Sequence, residues 1–197
     1  MTGLLLRGTD LNGLPVVSIA TGDALAEIKD MVYSPDCAQL LGFTLNKRGF
    51  FGSPLRETLA YTNVAAVGRD AVMVEHDDVV GADDHGLGEI VGAAAGRNVL
   101  GDEVLTDDGR RLGVVTDVVV DVASGDVVGY ELKGDENLQA HAGRPMLVPI
   151  PATLAVSGTA LMVPAQVEPF IRDDLTGFGA AVDEFRDELP RTSDAAE

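Results

Sequence analysis

Two stretches of the chain alternate apolar and polar residues with a period of two, which predicts strands. The clearest is Gly113-Val-Val-Thr-Asp-Val-Val-Val-Asp121, rich in β-branched residues and flanked by Asp107-Asp-Gly109 and Ser124-Gly125. Both flanks carry turn residues. Alternation sets Val114, Thr116, Val118 and Val120 on one face, and Val115, Asp117, Val119 and Asp121 on the other. The following strand groups Val128, Tyr130 and Leu132. Earlier in the chain, Glu27, Lys29, Met31 and Tyr33 stand opposite Ile28, Asp30, Val32 and Ser34, and Leu41, Phe43 and Leu45 share a face of the next strand.

These stretches are copies of one another. Leu25–Ser34 aligns with Leu112–Asp121, 87 residues later, and the alignment continues without a gap through Gln39–Leu45 against Asp126–Leu132. Gly22 matches Gly109, Asp30 matches Asp117, Gly42 matches Gly129 and Phe43 matches Tyr130. Beyond that block the spacing becomes 89, and Leu59–Val74 matches Val148–Val163. The two-residue difference falls in a loop, where insertions are best tolerated. The chain is therefore a tandem repeat. Each copy predicts five or six short strands, mostly joined by hairpins. A small barrel would remove exposed strand edges; a small open sandwich is the alternative.

The pattern changes twice outside the repeats. Glu75–Glu89 is rich in Asp, Glu and Gly and reads as a flexible linker. After Pro164, Leu175, Phe178, Val182, Phe185 and Leu189 follow at steps of 3, 4, 3 and 4, the stripe of an amphipathic helix. Pro169 fits a first turn and Pro190 ends the run. Gly177 and Gly179 weaken the helix by about 1 kcal/mol each relative to Ala. The expected organisation is a first barrel over 1–76, an acidic, Gly-rich linker over 77–96, a second barrel over 97–165, a helix over 166–189 and a disordered tail over 190–197.

Composition sharpens this picture. Of 197 residues, 46% are hydrophobic but only 5% aromatic, with no Trp, so the core is expected to be aliphatic. The net charge of −18 is uneven: residues 1–80 carry −4 and residues 81–197 carry −14. Such a field repels phosphate backbones and disfavours nucleic acid as a partner. The single cysteine, Cys37, excludes an internal disulfide and fits a reducing, cytoplasmic setting. The three leucines near the start are too few for a signal peptide, and no run approaches the length of a membrane span, so direct membrane insertion is not expected.

The motif "Gly–x–Val–x–Asp–hydrophobic run–turn–x–Val–x–Gly–Tyr–x–Leu" resembles the PRC-barrel family, named for a domain shared by the photosynthetic reaction centre H subunit and a ribosome maturation factor. Gly13–Val17, Lys47–Gly52 and Val67–Val74 are similar to it as well. The resemblance covers both copies and implies an all-β fold of two tandem PRC-type barrels. It also implies a role in protein contacts, sometimes with a ribonucleoprotein or a membrane complex. Copy one departs from the pattern at Ala26, where copy two has Gly113, and copy two has Gly134-Asp-Glu-Asn137 in place of the basic, aromatic loop.

Candidate chemistry is sparse. Asp30 and Asp117 recur at one place in both copies, but no acid, base or histidine recurs with them, which favours a fold role. His76, Asp77, Asp78, Asp83, Asp84, His85 and Glu89 offer cation ligands, yet their spacing fits no Ca²⁺ loop and the segment reads as solvated. Gly86-Leu-Gly88 with Gly92 imitates a dinucleotide fingerprint with its third glycine one residue late and no preceding strand. No catalytic, cofactor or metal residue is assigned, and no enzyme signature is found. The candidate contact residues are Lys47, Arg48, Phe50, Phe51 and Arg56, a basic cluster with aromatics, and Leu175, Phe178, Val182 and Phe185 of the helix. The first cluster otherwise plugs a barrel end, and the second otherwise packs on its own barrel. The expected function is a non-catalytic adaptor with protein partners, with homo-oligomerisation through the C-terminal helix as one mode. A ribosome- or RNA-processing accessory factor and an enzyme with an unrecognised site are the alternatives.

Overall fold

The structure is a computed structural model that describes residues 3–48, 53–81, 87, 99–134, 145–151, 155–157 and 160–189. Its elements are β1 (Leu5–Arg7), α1 (Gly8–Leu11), β2 (Pro15–Ser18), β3 (Ala24–Tyr33), β4 (Leu40–Asn46), β5 (Pro54–Ala60), β6 (Val64–Val67) and β7 (Val72–Val74). The second copy supplies β8 (Glu103–Thr106), β9 (Arg111–Asp121), β10 (Asp126–Gly134), β11 (Pro145–Pro149), β12 (Ala155–Ser157) and β13 (Ala160–Val163), followed by α2 (Phe178–Glu188).

The duplication holds strand by strand. One sheet runs β5-β4-β3-β2-β7-β6 and the other β11-β10-β9-β8-β13-β12, with β1 pairing β9 off that path. Each sheet contains a parallel contact at the same place, β2 with β7 and β8 with β13. Register is preserved too. Gly42 faces Ala60 and Phe43 faces Leu59, as Gly129 faces Pro149 and Tyr130 faces Val148. Among the described residues the end strands of each sheet do not pair with each other.

The core is aliphatic around a few rings, as the composition requires. Val16, Ile28, Phe43, Leu45, Leu59, Val72 and Val74 are buried in the first copy. Their counterparts Val104, Val115, Tyr130, Leu132, Val148, Leu161 and Val163 are buried in the second. Strict alternation fails at two places. In β3, Ile28 pairs with Leu45 and Asp30 with Thr44, so Lys29 is a bulged extra residue. Lys29 and Asp30 are consequently both exposed, although strict alternation groups Asp30 with buried Ile28 and Val32. In β9, Val118–Asp121 is buried on both faces, so the strand's second half is fully enclosed.

By contacts the chain divides into two compact units that are not contiguous in sequence. One comprises 1–5, 100–118 and 128–197; the other comprises 6–99 and 119–127. The tip of the β9–β10 hairpin thus belongs to the unit built on the first copy. Within that unit the tip pairs with its own counterpart, the β3–β4 tip. Leu40 N–H donates to the Gly125 carbonyl at 2.8 Å and Val127 N–H donates to the Ala38 carbonyl at 2.9 Å, a reciprocal pair of matched positions. Tyr61 secures the contact by donating its hydroxyl to the Val122 carbonyl at 2.8 Å.

The C-terminal helix is shorter than its apolar stripe. Ala165–Phe170 forms a 3-10 turn containing Pro169, and α2 begins only at Phe178, after Gly177 in a left-handed conformation. The proline and the two glycines stop the α-helix from extending back to residue 166. The tail over 190–197 and most of the acidic segment, 82–86 and 88–98, lie outside the described residues. Among the described residues no helix is long and apolar enough to cross a membrane.

Candidate functional site

The β4–β5 hairpin carries the basic candidates. Asn46 pairs with Pro54, and Lys47 N–H donates to the Ser53 carbonyl at 2.9 Å, which closes the strands towards the loop. Lys47, Arg48 and Arg56 are all exposed, so this one hairpin gathers three of the six cations in residues 1–80. None of the three makes an ion pair among the described residues, whereas Lys29, Arg110 and Arg111 do. Phe50 and Phe51 lie outside the described residues.

The helix stripe packs inward, one of the two fates its sequence left open. Phe178, Val182 and Phe185 have no exposed surface, and Leu175 is half-buried. The Phe185 ring packs 5.5 Å from Phe170, centroid to centroid. These side chains fill the core of their own unit. Three of them are therefore unavailable as partner contacts or as a dimer seam without unfolding that core.

The paired aspartates have diverged. Asp30 is exposed, 3.9 Å from Lys29 Nζ, while its backbone N–H donates to the Thr44 hydroxyl. Asp117 is buried and accepts the Val118 N–H at 2.8 Å. Asp36 has a carboxyl below its ordinary pKa because the Ser34 hydroxyl and the Ala38 N–H donate to it, a turn that shapes the β3–β4 tip. His76, Asp77 and Asp78 are exposed, and Asp77 accepts from the Thr21 hydroxyl; Asp83, Asp84, His85 and Glu89 lie outside the described residues.

A feature not assigned in the sequence appears in both units. A Cβ at Gly42 would collide with the Leu59 carbonyl and stand 2.6 Å from Leu87 Cδ2. A Cβ at Gly129 would stand 2.5 Å from Phe178 Cζ and 2.7 Å from the Val148 carbonyl. Each glycine is a notch that admits an apolar side chain from the segment after its repeat. Leu87, within the segment read as a solvated linker, is 2% exposed for this reason. The signal was present: Gly86-Leu-Gly88 and Gly177-Phe-Gly179 lie 91 residues apart, each shortly after a pair of aspartates.

The edges beside the notches are also held alike. Arg172 N–H donates to the Leu147 carbonyl and Leu147 N–H to the Arg172 carbonyl, at 3.0 and 2.7 Å. At the matched place Gly81 N–H donates to the Thr58 carbonyl at 3.2 Å. Comparison with known families gives a family model described as PRC-barrel domain, matched at residues 5–90 and again at 92–165. No curated protein matches the chain.

Proposed function

The chain belongs to the PRC-barrel family, and from that premise we propose that it is a non-catalytic adaptor that binds other proteins in the cytoplasm. The observation that carries this reading is a scaffold copied in strand order and register beneath surfaces that have diverged. At the places of Lys47, Arg48 and Arg56 the second copy has Gly134, Asp135 and Pro145. A duplicated enzyme site would repeat its reactive groups, but here the repeated polar pair, Asp30 and Asp117, has parted into an exposed and a buried role. Two linked modules with unlike faces suit bringing partners together, because linkage raises effective concentration. The lone Cys37 is a buried thiol, in keeping with a reducing compartment.

The contact face we assign is the exposed basic end of the β4–β5 hairpin. On a chain of net charge −18 such a patch selects an acidic protein surface. The test is affinity capture with the full chain at low salt, beside a Lys47→Glu/Arg48→Glu/Arg56→Glu variant. Removing residues 166–197 is not a usable control, because it would strip buried Phe178, Val182 and Phe185 from a core. The expected result is a protein partner retained by the wild type, lost by the variant and released by added salt. Co-sedimentation with ribosomal subunits instead would favour the ribosome-accessory reading, and the absence of any charge-dependent protein partner would count against the adaptor.

A further inference from the structure

We propose that the paired β3–β4 and β9–β10 tips are a recognition interface through which one PRC-type repeat selects an unlike PRC-type repeat. The partner that fits the first copy's tip is a second PRC-type hairpin tip with a glycine followed by a carboxylate at its turn. In this chain the second copy fills that place. The inference stands apart from the adaptor reading and from the basic end of the β4–β5 hairpin.

Both tips lie within one compact unit, and their contacts obey a local two-fold. Leu40 N–H donates to the Gly125 carbonyl. Val127, the counterpart of Leu40, donates its N–H to the carbonyl of Ala38, the counterpart of Gly125. Between them Gln39 bridges Asp126, which is its own counterpart. Exchanging the copies therefore maps each of these contacts onto one of the same set. That is the signature of an isologous interface, the kind that joins two identical subunits.

An interface between identical tips accepts like with like, and three differences now oppose this. The first is at the two-fold itself. Gln39 Nε2 donates to Asp126 Oδ1 at 3.4 Å, whereas two second-copy tips would set Asp126 against Asp126. Like charges directly opposite across strands repel. The second is beneath Tyr61. A Cβ at Gly125 would stand 2.8 Å from Tyr61 Cε1, and the first copy has Ala38 at that place, so two first-copy tips would press a methyl group on the ring. The ring is held on both sides, by its hydroxyl bond to Val122 and by packing on Phe43. The third is Ile150 at the place of Tyr61, which has no hydroxyl to give the return bond. The mixed pair keeps the hydrogen bond, the fit under the ring and the uncharged neighbour for Asp126. Attraction and repulsion thus both favour the unlike partner.

The test uses the full chain, folded before it is cut. The recognition sequence of a site-specific protease is inserted after Val91, between the two family-matched stretches, and the protein is immobilised by a C-terminal tag. After cleavage, release of the first copy is followed by surface plasmon resonance. The wild type is expected to hold its first copy and release it slowly. Gln39→Asp reproduces the opposed carboxylates of a second-copy pair at an exposed position that spares the fold, and should speed release about threefold. Gly125→Ala reproduces the first-copy pair and should speed it about tenfold. Gln39→Lys, which places a cation opposite Asp126, should slow release about twofold. Immediate loss of the first copy from the wild type overturns the proposal. So does a release rate that Gln39→Asp and Gln39→Lys leave equal, whatever Gly125→Ala does.

Discussion

The two repeats pair their strands in the same order and register, yet they hold their glycine notches by different means. In the second, Phe178 is the first residue of a helix whose buried face continues through Ala181, Val182 and Phe185. In the first, Leu87 reaches the notch and Gly81 reaches the edge. Backbone features have been kept because a change is costly. A side chain at Gly42 or Gly129 would run into a neighbouring carbonyl, and no repacking of flexible atoms removes that clash. The covering segments have diverged in sequence, one seating Phe178 and the other Leu87. The cations have diverged too, since Lys47, Arg48 and Arg56 have no basic counterpart in the second repeat.

The largest expected effect comes from removing the Phe178 ring. Phe178→Ala should cost about 3–5 kcal/mol, the usual loss for a fully buried ring. Leu87→Ala should cost about 2–3 kcal/mol, because a smaller aliphatic side chain is lost. Urea denaturation of both variants measures the difference, and a larger loss at Leu87 would reverse the comparison.

A smaller effect concerns Tyr61, whose place in the second repeat is taken by buried Ile150. Tyr61 packs against Phe43, with centroids 6.1 Å apart, and its hydroxyl bonds Val122. Burial first, and then the Asp121 and Asp126 carboxylates, push its pKa up to about 12. The folded value lies above the ordinary value of 10.0, so the unfolded chain ionises first. The stability due to the neutral phenol is therefore complete below about pH 10 and is lost as pH rises through about 12. Ultraviolet titration of wild type against Tyr61→Phe should show one phenol titrating near about 12. Tyr61→Phe should lower stability at neutral pH by about 1 kcal/mol through the lost hydrogen bond.

Much of the scaffold was legible because strands and turns are local. The β-branched run of β9 forms its strand, the turn residues at Gly109 and Gly125 adopt left-handed conformations, and the shift from 87 to 89 residues falls between β4 and β5 as between β10 and β11. The Lys29 bulge was not legible, since it depends on how β4 pairs across the sheet. The fate of the helix stripe was open because an apolar face does not say what covers it; Phe178 in the Gly129 notch decides that it packs within its own unit. The notches escaped notice for a related reason. Gly42 and Gly129 were matched as repeat positions, but a glycine's close approach shows only when its neighbour is known. Of the basic cluster, Lys47, Arg48 and Arg56 are exposed as a contact face requires.

The central claim is that both repeats carry the same two-point arrangement, a covering segment bonded at the edge strand and an apolar side chain seated in the glycine notch. Native-state amide hydrogen exchange on the full chain tests it most directly, at Leu147 and Arg172 in one unit and Gly81 in the other. The account predicts that all three amides are protected, and that Leu87→Ala lowers protection at Gly81 while leaving Leu147 and Arg172 unchanged. Unprotected exchange at Gly81 in the wild type, or indifference of Gly81 to Leu87→Ala, would contradict it.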